Sequence, residues 1–208
     1  MSLEMWIAFV IPATVVLVIP GPTILLVISQ AISHGRRAVI PLVAGVTMGD
    51  FTAMTLSLLG LGAILAASAA LFSVLKFIGA AYLVYLGIKL WRSSPEKREI
   101  SGPAIKASNS SLFKGTFVVT ALNPKSIAFF VVFLPQFINP QVLAAPQLIL
   151  LGATFLLLAS INATLYAIFA GHLRDTLDSS RVRRWFNRCG GSVLIGAGIF
   201  TAAIQRSS

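Results

Sequence analysis

The sequence places one acidic residue, Asp50, inside a long apolar stretch. Residues 38–73 contain no other charged residue. In a helix that begins near residue 39, Asp50 would lie about 17 Å along the axis, close to the middle of a bilayer. A carboxylate at that depth costs at least about 2.5 kcal/mol, so its presence indicates a function. Asp50 is a candidate for proton coupling or for binding the ammonium group of a substrate.

Two proline motifs interrupt other apolar stretches. They are Pro20-Gly21-Pro22 and Asn123-Pro124-Lys125. Proline has no backbone N–H and clashes with an earlier carbonyl, so each motif predicts a broken helix. Within a membrane such a break is tolerated only where the backbone faces protein or a water-filled cavity. The freed amides could bind a carboxylate and the freed carbonyls an ammonium. The alternative is a packing kink without ligand contact.

Further polar residues extend this candidate site. Lys125 is predicted at a depth similar to that of Asp50, so the two could form an ion pair that only locks helices, or a switch that substrate breaks. Asn162 and Tyr166 are one helical turn apart in the fifth span. Together with the nearby Ser160 and Thr164, and with Gln136 at the end of the fourth span, they could line a polar path, although hydrogen bonding between helices fits them equally well. The predicted substrate-binding residues are Pro20, Gly21, Pro22, Gly49, Asp50, Asn123, Pro124, Lys125, Gln136 and Asn162.

Composition indicates a membrane protein around these residues. Of 208 residues, 57% are hydrophobic and 11% are charged, whereas soluble domains have about 25% charged residues. The length suits six helical spans of about 20 residues each. We therefore predict an all-α integral membrane protein with the lipid bilayer as its surroundings. The predicted spans are 5–28, 39–65, 70–90, 114–134, 147–171 and 189–205.

The basic residues predict the orientation of these spans. They occupy the first, third and fifth connections, whereas the second and fourth have none apart from Lys76. Because basic loops stay in the cytoplasm, both termini are predicted outside. The same pattern explains the net charge of +10 without a nucleic-acid partner. Residues 181–188 could lie along the inner leaflet or simply flank the last span.

The two halves of the chain have similar motifs. We predict a single domain with repeat one at about 5–91, a cytoplasmic linker at 92–113 and repeat two at about 114–206. Gly79 and Gly87 parallel Gly190 and Gly198. Because each half has three spans, the second would be inverted, which is typical of transporters. Glycine is also common in membrane helices for packing, within one chain or in a homo-oligomer.

The sequence contains few of the residues that other classes of function require. The one cysteine, Cys189, excludes a disulfide or paired-thiol mechanism within the chain, and the two histidines lie at segment ends. A presenilin-like protease would need a second membrane aspartate. We therefore expect no enzyme, no metal and no cofactor. A metal-ion exporter of related architecture is the nearer alternative, although it would want more carboxylate, histidine or cysteine ligands. A passive channel is also possible, but broken helices favour alternating access.

Taken together and in order, the motifs resemble the LysE/RhtB family of amino-acid exporters. The resemblance covers about residues 5–205. It rests on Pro20-Gly21-Pro22, Gly45-x3-Gly49-Asp50, Tyr82-Leu83-x2-Leu86-Gly87, Asn123-Pro124-Lys125 and Leu134-Pro135-Gln136-Phe137. It implies efflux of amino acids, homoserine or homoserine lactones across the bacterial inner membrane, driven by protons. Members differ in substrate while sharing these motifs, so the motifs do not select one.

Overall fold

The computed structural model describes residues 1–67, 107–139, 141–171 and 180–203, together with several residues between 74 and 92. All regular elements in these described parts of the chain are helical. They are α1 (Leu3–Val18), α2 (Pro22–His34), α3 (Val39–Ala67), α4 (Asn109–Ala121), α5 (Pro124–Ala128), α6 (Ala144–Ile168) and α7 (Ser180–Ala203). A 3-10 turn, Gly35–Ala38, joins α2 to α3.

Both proline motifs break a helix, as predicted. α1 ends at Val18 and α2 begins at Pro22, with extended backbone at Ile19. α4 ends at Ala121 and α5 begins at Pro124. The helix continues from α5 through a π-helical turn, Phe129–Phe133, and a 3-10 turn. The axis bends by 42° at this second break.

Several helices extend beyond the predicted spans, because hydropathy marks the apolar part of a helix rather than its ends. The predicted linker reaches residue 113, yet α4 begins at Asn109 because Ser108 caps it. The last helix begins at Ser180, nine residues before the predicted span, and so includes the basic segment 181–188. The fourth helical segment ends in a 3-10 turn at Phe137, three residues past the predicted end of span four at residue 134. α3 continues to Ala67, two residues past the predicted end of span two at residue 65. Most of span three lies outside the described residues.

Two helical stretches within the described residues are long and apolar enough to cross a membrane. They are residues 22–60 and α6, and the bent pair of 109–121 and 124–137 makes a third if it is one span. α1 is a shorter apolar helix. Large apolar side chains are exposed along these helices, including Leu56 on α3 and Ile149 on α6. Lipid is the solvent in which such a surface is stable. The structure thus supports a helical membrane protein.

Close helix crossings hold the elements together. A Cβ on Gly45 would lie 2.8 Å from the carbonyl oxygen of Phe113, so α3 and α4 touch backbone to backbone. A Cβ on Gly87 would lie 2.6 Å from the carbonyl oxygen of Gly191. Small residues permit this approach, and close packing stabilises helix association in lipid because no hydrophobic effect drives it there. Gly87, one of the glycines of the predicted repeat, therefore packs against α7 of the same chain.

Candidate functional site

The carboxyl end of α1 lacks its ordinary backbone donors. In a continuous helix the carbonyls of Val16 and Val18 would accept from residues 20 and 22. Both of these are proline and have no N–H. The last regular bond of the helix runs from the Ile19 N–H to the carbonyl of Val15 at 3.2 Å. The next four carbonyls, from residue 16 to residue 19, therefore need donors from elsewhere.

Three side chains from other helices supply those donors. The Lys125 ammonium donates to the carbonyls of Val16 at 2.8 Å and Ile19 at 2.9 Å. Asn162 and Tyr166 of α6 complete the set. The Asn162 amide donates to the Leu17 carbonyl at 3.0 Å, and the Tyr166 hydroxyl to the Val18 carbonyl at 2.6 Å. Every carbonyl from residue 16 to residue 19 is thus bonded.

Backbone bonds and neutral side chains hold the second break, where the Asn123 N–H bonds the carbonyl of Thr120 at 3.0 Å. The Asn123 side chain caps α5 by accepting from the backbone N–H of Lys125 at 3.1 Å. Its amide also donates to the Thr23 hydroxyl at 3.2 Å, and the Thr120 hydroxyl lies 3.4 Å from the same oxygen. Thr23 and Lys125 each follow the proline that begins a helix. Each break therefore contributes the residue after its proline to the other break.

Asp50 lies beside this junction and not against lipid, since 3% of its surface is exposed. The Ser126 hydroxyl is a polar neighbour of the Asp50 carboxylate, and the Lys125 ammonium is its charged neighbour. One carboxylate oxygen, Oδ1, is buried without a hydrogen-bond partner. The preceding residue, Gly49, brings α3 close to α4, because a Cβ there would lie 2.6 Å from that of Thr120. Asp50 is thereby held at the level of the second break.

We call this junction the break cluster. It comprises the carbonyls of residues 16–19 and the side chains of Thr23, Asp50, Thr120, Asn123, Lys125, Ser126, Asn162 and Tyr166. Along the helices, an apolar cluster lies on each side of the break cluster. One contains Phe9, Phe129 and Phe155, and the other contains Val27 and Leu42. The polar groups therefore lie between two apolar cores, where a charge interacts strongly with its neighbours.

The structure brings together most of the predicted site residues but not all. The two proline motifs, Asp50 and Asn162 meet in the break cluster. Gln136 does not, because it lies twelve residues beyond Pro124, about 18 Å along the helical segment. Its amide donates to the Val132 carbonyl in that segment.

Three polar residues of the break cluster are absent from the sequence prediction. They are Thr23, Thr120 and Ser126. Each lies within four residues of a predicted one along a helix, which was the available signal. Among the described residues, no three His, Cys, Asp or Glu side chains group together as metal ligands do.

Comparison with known proteins identifies the family. The family model for LysE type translocators matches residues 14–204. This chain belongs to the LysE type translocator family. The translocator is also 30% identical over 207 residues to a homoserine/homoserine lactone efflux protein of Salmonella typhimurium, covering 100% of both chains. It is 32% identical over 170 residues to a leucine efflux protein of Enterobacter sp., covering 81% of this chain and 80% of that protein.

An uncharacterized membrane protein of Vibrio cholerae is similarly related to the translocator. It is 32% identical over 205 residues, which cover 99% of this chain and 100% of the relative. No solved structure matches the translocator significantly. Family membership places the chain among membrane transporters rather than enzymes. The break cluster is the place in this transporter where backbone and side-chain polar groups from α1 through α6 converge.

Proposed function

We propose that this translocator exports amino acids from the bacterial cytoplasm across the inner membrane in exchange for protons. Substrate binds at the break cluster, and the two halves of the chain rock around it as inverted three-span repeats, with both termini outside. The observation that carries the proposal is the buried Asp50 carboxylate, which has one unpartnered oxygen beside two broken helices. Broken helices around a site at this depth are how secondary transporters bind substrate and coupling ion.

The relatives narrow the chemistry of the substrate. Homoserine, homoserine lactone and leucine are the compounds for which two of the efflux proteins are named. All three have a primary ammonium, whereas the lactone has no free carboxylate. The shared group is therefore the ammonium. The break cluster suits that group, since it presents carbonyl oxygens at the negative end of α1 and the carboxylate of Asp50.

Asp50 suits the role of the proton carrier for two reasons. It is the one acidic residue of the predicted spans, and its burial makes the charged and neutral forms differ strongly in free energy. The Ser126 hydroxyl and the Lys125 ammonium favour the carboxylate, while the unpartnered Oδ1 can take a proton. A carboxyl group that gains and loses a proton here would change the charge of the whole cluster.

The test is proton-driven transport by Asp50→Asn, which keeps the shape of the side chain and removes its ionisation. Purified protein is reconstituted into liposomes with labelled homoserine or leucine, and transport is measured with and without a pH gradient. We expect the wild type to respond to the gradient and Asp50→Asn to lose that response. Gradient-driven transport near the wild-type rate in Asp50→Asn would exclude Asp50 as the proton carrier.

Glu4→Gln is the matched control, because Glu4 is exposed in the first turn of α1, away from the break cluster. It should transport as the wild type does. Exchange of labelled for unlabelled substrate without a gradient separates two roles of Asp50. Exchange that survives in Asp50→Asn assigns Asp50 to the proton alone, and exchange that is lost assigns it to substrate binding as well.

A further inference from the structure

The carboxyl end of α1 already holds a primary ammonium, that of Lys125. Its Nζ lies 2.8 and 2.9 Å from the carbonyl oxygens of Val16 and Ile19. The backbone carbonyls at a helix carboxyl end carry partial negative charge, so they favour a cation. Gly21 makes room for it, because a Cβ at this position would lie 3.3 Å from Nζ. The carbonyls of residues 16 and 19 thus form a fitted cradle for an alkylammonium group.

A lysine is not needed to close a helix break in this chain. At the other break the backbone N–H of Asn123 bonds the carbonyl of Thr120, and the side chains there, Asn123, Thr23 and Thr120, are all neutral. Thr23 is the counterpart of Lys125, since each directly follows the proline that begins its helix. Placing a buried cation is costlier than placing a hydroxyl. The ammonium in the first break therefore indicates a role that the neutral break does not have.

The Asp50 carboxylate is a second possible partner for the Lys125 ammonium. Asp50 is its charged neighbour, and the Asp50 Oδ1 atom has no hydrogen-bond partner. The hydrogen bonds of the ammonium go to the carbonyls of α1 instead. A displaced Lys125 would find an unpaired carboxylate oxygen beside it, so leaving the cradle need not strand a buried charge.

We infer that the Lys125 side chain occupies the subsite for the substrate's ammonium group. The substrate's own ammonium displaces Lys125 from the carbonyls of Val16 and Ile19. The inference rests on the proposed function. It adds where the substrate ammonium binds, the cradle, and what frees that subsite, the displacement of Lys125. In this structure the cradle is closed by the chain itself. When a substrate ammonium enters, Lys125 moves to Asp50 and its charge stabilises the carboxylate. Substrate binding and the protonation of Asp50 are then mutually exclusive, which is the requirement for exchange.

Two variants of Lys125 test the cradle directly. Lys125→Ala removes the occupant and leaves space, whereas Lys125→Met removes the charge but keeps a side chain of similar length. The probe is n-propylammonium, a fragment of the lysine side chain, and 1-propanol is its uncharged analogue. We expect millimolar n-propylammonium to raise the unfolding temperature of detergent-solubilised Lys125→Ala, and 1-propanol not to. The wild type should need about tenfold more n-propylammonium for the same shift, because Lys125 competes for the cradle. Lys125→Met should not respond, since its side chain fills the cradle and cannot move to Asp50 as an ammonium.

The same variant separates binding from turnover. If Lys125 fills the cradle nine-tenths of the time or more, removing it should tighten substrate binding by about tenfold or more. Lys125→Ala should therefore bind homoserine or leucine more tightly than the wild type while exchanging it more slowly. N-acetylation of the substrate should abolish the gain. A merely structural lysine would weaken binding and turnover together, and that result would overturn the inference.

A measurement on the wild type keeps the inference testable even where Lys125→Ala fails to fold. Substrate should change the rate at which an amine-reactive reagent modifies Lys125, because the ammonium exchanges two carbonyl partners for the Asp50 carboxylate, and the rate is measured by mass spectrometry. Lys114, exposed on α4, serves as the internal reference for reagent consumption. A Lys125-to-Lys114 ratio that substrate leaves unchanged would overturn the inference, as would equal stabilisation of Lys125→Ala by both probes. Absence of amino-acid transport by the wild type would instead refute the proposed function, because the propylammonium experiment uses no amino acid.

Discussion

The substitution Tyr166→Phe isolates the contribution of one hydroxyl to the first helix break. Tyr166 is 8% exposed, and its hydroxyl lies 2.6 Å from the carbonyl oxygen of Val18. The usual backbone donor to that carbonyl would be residue 22, which is proline. The substitution therefore leaves a part-buried acceptor without its donor, at a cost of about 1 kcal/mol in the free energy of unfolding.

The assay is unfolding of the detergent-solubilised protein. For a chain of this size, 1 kcal/mol corresponds to about 2–4 °C in the unfolding midpoint. Thr55→Val is the control, since it also deletes a hydroxyl that bonds a carbonyl, that of Phe51 at 2.8 Å. Phe51 lies within the continuous helix α3, where its carbonyl also has a backbone donor. We expect Thr55→Val to stay within about 0.5 kcal/mol of the wild type. Tyr166→Phe as stable as this control would refute the reasoning about the carbonyl.

Two further substitutions test the surroundings of the break cluster by the same unfolding assay. Gly49→Ala places a methyl group 2.6 Å from the Cβ of Thr120 and should cost about 1–3 kcal/mol through overpacking. Gly115→Ala, with open space around it, should be neutral or stabilising, and equal effects at the two glycines would contradict the α3–α4 contact. Asn123→Ala removes a helix cap, worth about 1 kcal/mol, together with a buried bond to α2. It should therefore cost more than Ser108→Ala, an exposed cap, and a smaller cost would argue against that bond.

The candidate positions of the helix breaks follow from the sequence. Proline lacks an N–H in every environment, so Pro20, Pro22 and Pro124 each remove a backbone donor whatever packs around them. A proline by itself does not end a helix, since Pro12 lies inside α1. The apolar composition and the solitary Asp50 likewise indicate a membrane transporter without reference to how the helices pack. The helix ends are predicted less well, because basic residues extend α7 as readily as apolar ones do.

Only the tertiary structure decides which groups satisfy the broken backbone. The sequence allows an ion pair between Lys125 and Asp50 as one arrangement, whereas in the structure the ammonium bonds the carbonyls of Val16 and Ile19. Lys125 is more than a hundred residues from those carbonyls along the chain, as is Tyr166. Local sequence patterns do not indicate a contact between residues that lie so far apart along the chain. Gln136 shows the reverse case, since a polar residue at a plausible depth lies along the helix away from the site.

The physical reason is the difference between losing a hydrogen bond and regaining one. The loss is a covalent property of proline and can be located by its position in the sequence. The replacement donor has to arrive at about 3 Å in the right direction, and that depends on how every helix packs. The sequence therefore determined where the polar backbone opens, and the packing of α1, α5 and α6 decided that Lys125, Asn162 and Tyr166 close it.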